Sequence, residues 1–235
     1  MRFLRVLFKK QKKNLPIFLR ILPGSDILRL GIFIAIAAWF LQGIRYMNWR
    51  EAVIKVFIDL LLTAALFFCG VHVLIAWVIA HTVNFCLDGQ LFAMFTHFGA
   101  NGVPAQYFFD ETLRIAERLK TKPAVAHALA FGSLSRGEYK KTSDIDLRLV
   151  PASGEWNFWK CSFLALAMRT ICFFRGYPLD LYVFSLKELT KKMRTDEPPV
   201  LISGATGKLA DIYPRVITLD EFSQLFREKQ LGGGE

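Results

Sequence analysis

Apolar positions come in two textures along this chain. In the first third they form unbroken runs, and beyond residue 103 they alternate with polar positions or recur at helical spacing. The run "LRLGIFIAIAAWFLQGI", Leu28 to Ile44, carries no charge after Arg29. The run "LLLTAALFFCGVHVLIAWVIA", Leu60 to Ala80, is interrupted only by His72. A helix that crosses a bilayer needs roughly 17–25 apolar residues. The second run is therefore predicted to span and the first is marginal in length, which gives a transmembrane helical hairpin over residues 28–80. Between the runs, "RYMNWR" gathers aromatic and basic residues as at a membrane interface.

The aromatic stretch from His81 to Gly102 has few charges and is predicted to be an interfacial connector, residues 81–104, with "GANGVP" marking a boundary. The spacing of Phe108, Leu113, Ile115 and Leu119 predicts a helix over 105–121. "AVAHALAF" and "DIDLRLV" end at Gly132 and Pro151 and are predicted as strands. The long apolar segment 156–174 is predicted as a helix, "PLDLYVFS" as a third strand, "LKELTKKM" as a short helix and "RVITLDEF" as a last strand. Residues 105–230 thus form an α/β (α+β) domain, and 231–235 form a flexible tail. No internal repeat is present.

Composition agrees with lipid contact: 53% of residues are hydrophobic, 22 are phenylalanine, and the mean hydropathy is +0.32. The net charge is +10, but its placement matters more. Eight cations against Asp26 occupy the first thirty residues, interleaved with Phe3, Leu4, Leu7, Phe8 and Phe18. Residues 1–27 therefore read as a basic amphipathic segment on anionic lipid, and not as a cleavable signal peptide, since the apolar stretch comes late and lacks a small-residue cleavage site. Two spans would put the remainder on the cytoplasmic side of the cytoplasmic (inner) membrane. Because the surplus lies before residue 56, nucleic acid is disfavoured as a partner. Cys69, Cys86, Cys161 and Cys172 form no CxxC and read as buried thiols in a reducing compartment.

The candidate chemistry lies in "FGSLSRGEYKKTSDID". Alternation along the strand puts Asp144 and Asp146 on one face, where two carboxylates repel unless a cation joins them. Magnesium takes hard oxygen ligands together with substrate phosphates. Asp180 stands in an apolar-Asp-apolar pattern, and the gap from Asp146 fits an intervening helix. On neighbouring strands, Asp144, Asp146 and Asp180 can hold two magnesium ions about 4 Å apart, or manganese in their place, for in-line phosphoryl displacement. Gly132 lets the backbone approach an anion, Ser133 offers a hydroxyl and an N–H, and a helix starting at "SLSRGE" would point its positive end at phosphate. Arg136 is placed to grip phosphate at two points, with Lys140 and Lys141 nearby. His81, Asp88 and His97 have irregular spacing and read as satisfied or solvated rather than as a metal site.

Phe131, Gly132, Ser133, Arg136, Gly137, Glu138, Ser143, Asp144, Ile145, Asp146 and Leu147, followed by Asp180, resemble the signature of the DNA polymerase beta-type nucleotidyltransferase superfamily, especially its minimal, MNT-like branch. The resemblance covers roughly residues 105 to 190. It implies a small mixed sheet backed by helices, preceded here by the hairpin. It implies magnesium-dependent transfer of a nucleoside monophosphate from an NTP to a hydroxyl or phosphate, with Asp144, Asp146 and Asp180 as catalytic metal ligands. Gly132, Ser133, Arg136 and Ser143 would then be nucleotide-binding. The membrane segments and the apolar helix at 156–175 depart from the minimal branch. They point to a membrane-associated acceptor, such as a lipid-linked glycan intermediate or a membrane protein, or to a sugar phosphate for envelope assembly. A non-catalytic nucleotide-binding regulatory module is an alternative, opposed by the intact set of three aspartates. A toxin–antitoxin-type transferase that modifies a protein is another. The sequence leaves the oligomeric state open, a homo-oligomer included, since small transferases with thin cores often associate.

Overall fold

The computed structural model describes residues 26–92, 103–140 and 143–232. Most of the basic segment, part of the connector with His97, and the last residues of the tail lie outside the described residues. The chain divides into two compact units, Met1–Gln42 and Gly43–Glu235. The first contains helix α1, Asp26–Leu41, whose 16 residues make about 24 Å at 1.5 Å per residue.

The second unit opens with an antiparallel pair, α2 (Trp49–Phe68) and α3 (Val73–Leu87). Asn48 starts α2 with a capping box: its side chain accepts from the backbone N–H groups of Arg50 and Glu51, and the Glu51 carboxylate reaches back. The apolar run Leu60–Ala80 is therefore not one helix, and the expectation of a single span there is overturned. The chain reverses at Gly70, whose φ of 88° is left-handed. Val71 N–H bonds to Leu66 O at 3.1 Å and Gly70 N–H to Phe67 O at 2.9 Å, the two bonds of a Schellman turn. Among the described residues no helix is long and apolar enough to cross a membrane. α2 has the length, but it carries Arg50, Glu51, Lys55 and Asp59 in its first three turns. Cys69, expected to be buried, is exposed at the tip of the turn.

After α4 (Ala105–Lys120) come β1 (Val125–Phe131), β2 (Ile145–Pro151), α5 (Glu155–Phe174), β3 (Leu179–Val183), α6 (Leu186–Lys192), β4 (Val200–Gly204), β5 (Ile217–Thr218) and α7 (Leu219–Phe226). The sheet order is β3-β2-β1-β4-β5. β1 is antiparallel to β2 and β4, while β2–β3 and β4–β5 are parallel. The mixed sheet agrees with the predicted fold class, and α5 is the crossover that parallel neighbours require. β4 has no predicted counterpart. The strand predicted over 215–222 shrinks to two residues, because Thr218 caps a helix by accepting from Glu221 N–H at 3.2 Å.

One sheet face, with Ala128, Ala130, Ile145, Leu147, Leu149 and Leu181, packs under α4, α5 and α7. The other face carries Leu129, Phe131, Val150, Tyr182 and Phe184, with Met47 from the chain before α2. β3 is an edge strand, and side chains close its outer edge. Asn48 Nδ2 donates to Val183 O at 2.9 Å, Val183 N–H donates to Glu51 Oε2 at 3.1 Å, and Arg169 Nη1 of α5 donates to Leu181 O at 3.1 Å. The helical pair is thereby tied to the sheet. Glu51, Lys55, Asp88 and Arg169, all under 9% exposed, form one buried ion network: Lys55 Nζ–Asp88 Oδ2 2.6 Å, Arg169 Nη2–Glu51 Oε1 3.1 Å and Arg169 Nε–Asp88 Oδ1 3.1 Å. His81 meets Asp59 at 2.6 Å, so its polar partner is a neighbouring helix.

Candidate active site

The strand pairing decides the site. In the parallel β2–β3 register Asp146 stands opposite Asp180, and in the antiparallel β1–β2 register Phe131 stands opposite Asp146. The two aspartates therefore share the face that also bears Tyr182, at the end of the sheet where β1 gives way to the Gly132 turn. Asp144 stands just before β2, near enough for its charge to act on Asp146.

Between the carboxylates sits a residue that sequence reasoning missed. Arg148 Nη2 donates to Asp146 Oδ1 and to Asp180 Oδ2, both at 3.2 Å. Its Nη1 donates to the carbonyls of Leu147 at 3.0 Å and Asp180 at 3.1 Å, which fixes the guanidinium. Tyr182 and Phe184 lie under it at 5.1 and 5.6 Å. The signal was in the alternation itself: 144, 146 and 148 are successive same-face positions.

Even with this cation beside it, the Asp146 carboxyl is pushed up to about 7. Burial is the largest cause, followed by the hydrogen bond to Asp180, with the Asp180 and Asp144 charges adding and Arg148 opposing. Among the described residues no three His, Cys, Asp or Glu side chains converge tightly enough to hold a metal ion together. The pair Asp146–Asp180 nevertheless fits a hard divalent cation, because two paired, partly desolvated carboxylates are stabilised by one. Asp144 would complete the set from the strand entry.

Gly132 has φ 73°, and a Cβ there would stand 3.3 Å from Asp146 Oδ2. The bare backbone thus comes against the carboxylate face. The helix expected from "SLSRGE" does not form. Residues 132–137 are turns, closed by Gly137 N–H to Leu134 O at 2.9 Å, Glu138 N–H to Ser133 O at 3.0 Å and Ser135 Oγ to Gly132 O at 2.8 Å. The Ser135 hydroxyl takes a carbonyl that a helix would need. A cradle for phosphate here would be backbone amides of a turn, with Ser133 half-buried in it.

Arg136 is half exposed and bonded to Glu197, with Glu138 3.8 Å away. Ser143 is buried, and its Oγ accepts from Lys140 N–H at 2.9 Å, closing the turn before β2. Neither is aimed at the carboxylate pair by these bonds. On the opposite side, Tyr182 meets the Tyr46 ring at 6.1 Å and accepts from Gln90 Nε2 at 3.4 Å. Segments from both ends of the helical pair therefore border the carboxylate face.

Residues 113–229 match the family model for the nucleotidyltransferase domain. This part of the chain, just under half of it, is similar to a nucleotidyltransferase domain. No curated protein and no solved structure matches the chain. The matched region contains Gly132, the three aspartates and Arg148, and it leaves out the helical pair that seals the edge of β3.

Proposed function

We propose that this nucleotidyltransferase moves a nucleoside monophosphate from an NTP to a hydroxyl or phosphate of a membrane-held acceptor, of the lipid-linked or sugar-phosphate type, on the cytoplasmic face. The Asp146–Asp180 register pair beneath the bare Gly132 backbone carries this reading. Asp146 and Asp180, with Asp144, would hold the divalent ions, magnesium or manganese. Such ions lower the pKa of an attacking hydroxyl and neutralise charge on the triphosphate. An acceptor oxygen attacks the α-phosphorus, the bond to the β-phosphate oxygen breaks, and pyrophosphate leaves. The acceptor's proton passes to one of these carboxylates. Arg148 keeps the two carboxylates in one geometry without leaving its carbonyl anchors. The membrane placement rests on the eight N-terminal cations and on the apolar side chains that α2 and α3 expose.

One observation favours a nucleotide-binding module without catalysis: Arg148 already supplies a cation to the pair. The test is to incubate the detergent-purified protein with each labelled NTP, magnesium and either a membrane lipid extract or sugar phosphates. Label should appear in one acceptor fraction with stoichiometric pyrophosphate, and Asp146→Asn should abolish both. Equal pyrophosphate release by the variant would sink the carboxylate mechanism.

A further inference from the structure

The outer half of the α2–α3 pair is bare. From Leu60 to Ile79, Ala76 alone is buried, while Phe57, Leu60, Leu61, Phe68, Leu74 and Ile75 are each more than half exposed. Between Asp59 and Asp88 there is no Asp, Glu, Lys or Arg. An apolar surface of this kind on two protruding helices marks an interaction site. A second copy or a protein partner would cover one side and leave polar residues on another, but α3 exposes apolar side chains on every side away from its seam with α2.

The polar groups are arranged as hydrocarbon requires. Thr63 and Thr82 turn their hydroxyls onto the carbonyls of Asp59 and Val78, both at 2.7 Å. The Schellman turn occupies carbonyls at the end of α2. Ala76 and Ala80, at 0% and 1% exposure, bring the helices together through small residues, the packing used where no water drives helices together. Charged residues stand only at the base, where they pair with one another and with α5. Around that base, Trp49 meets Trp159 at 5.5 Å, Arg50 lies 4.5 Å over Trp49, and exposed Trp156 has Lys160 at 6.0 Å. Tryptophan beside cations is the composition of a membrane–water interface.

Length fixes the mode. Leu60 to Phe68, the part of α2 beyond its last charge, rises about 12 Å, against a hydrocarbon core of about 30 Å. We infer that the α2–α3 hairpin is a monotopic lipid anchor: it enters one leaflet tip-first to near the bilayer midplane and leaves on the same side, with the Trp49–Trp159 base at the headgroups. This rests on the membrane placement proposed above. It replaces the expected span at 60–80 with an anchor that never crosses.

Cys69 at the tip is a native reporter. Cys161 and Cys172 are buried, with thiols pushed up to about 12, so a Cys86→Ala chain takes a thiol-reactive fluorophore at Cys69. The labelled full chain is added to preformed anionic phosphatidylglycerol/phosphatidylcholine vesicles. Lipid nitroxides deep in the acyl chain should quench it several-fold more than shallow ones, and iodide on either side should not. Quenching by outside iodide means an uninserted hairpin. Quenching by trapped iodide means a spanning one. Protection from both lipid nitroxide and iodide means cover by protein. Each of these overturns the proposal. Leu74→Lys should lower quenching by the deep lipid nitroxide at least tenfold without loss of NTP binding. Asp146→Asn should insert like the parent, so failure of the chemistry and failure of the anchor are read separately.

Discussion

Replacing Asp146 by Asn should stabilise the metal-free protein while removing its activity. The folded chain holds a proton on Asp146 up to about pH 7, whereas the ordinary value for the side chain is 3.8. Over that interval the native state binds more protons than the unfolded state, so stability falls as pH rises from about 4 to about 7. The full difference would correspond to roughly 4 kcal/mol at about 1.4 kcal/mol per pH unit. The side chain is 37% exposed, and screening by water reduces this to about 1–2 kcal/mol. Asn keeps the shape and has no charge to strain, and Asp180 remains as a partner for Arg148. In chelator at pH 8 the variant is expected to melt about 2–5 °C above the parent, with the gap closing near pH 4.5. Magnesium should raise the parent at pH 8 and leave the variant almost unmoved. Nucleotidyl transfer should drop by at least about a hundredfold. Thermal melts by circular dichroism at the two pH values, with and without magnesium, are the assay. A variant less stable than the parent at pH 8, or a gap independent of pH, would refute the assignment of strain to this carboxylate.

Three further outcomes follow from the same contacts. Arg148→Gln removes both carboxylate bonds and should cost about 2–4 kcal/mol in urea unfolding, part of which magnesium should restore by standing in for the guanidinium. Gly132→Ala should cost about 1–2 kcal/mol for the left-handed backbone. Because its Cβ meets Asp146, its loss of transfer should exceed what that destabilisation explains, as measured below the melting temperature. Glu51→Ala strips Arg169 of one carboxylate and leaves Val183 N–H without its acceptor, for about 3–5 kcal/mol in urea unfolding.

The sequence carried the carboxylate pair because period-two alternation and a helix-sized gap are local properties. Asp146 and Asp180 could be set side by side from those alone. Arg148 obeys the same alternation, but a lone cation on a strand has the pattern of a solvated residue, and only its carbonyl anchors and aromatic floor set it apart. The break at Gly70 was visible as a glycine inside an apolar run, yet hydropathy sums composition and takes no account of chain reversal. The Glu51–Arg169 and Lys55–Asp88 pairs were not legible, because their members lie far apart in sequence and each resembles an ordinary surface charge. β4 is a short run behind two prolines with no alternation to mark it, and the start of α7 carries a strand pattern because a threonine cap looks like a β-branched strand residue.

The sealed edge of β3 has a practical consequence. A fragment trimmed to the family match, from residue 113, would lose Asn48, Glu51 and Asp88 together. It would carry an open strand edge, with unpaired N–H and C=O groups at Val183, beside an arginine stripped of both its acids. Such a fragment should form mixed-strand aggregates rather than a smaller soluble enzyme. The helical pair and the carboxylate site lie in the same compact unit, Gly43–Glu235, so a cut between them should cost both at once.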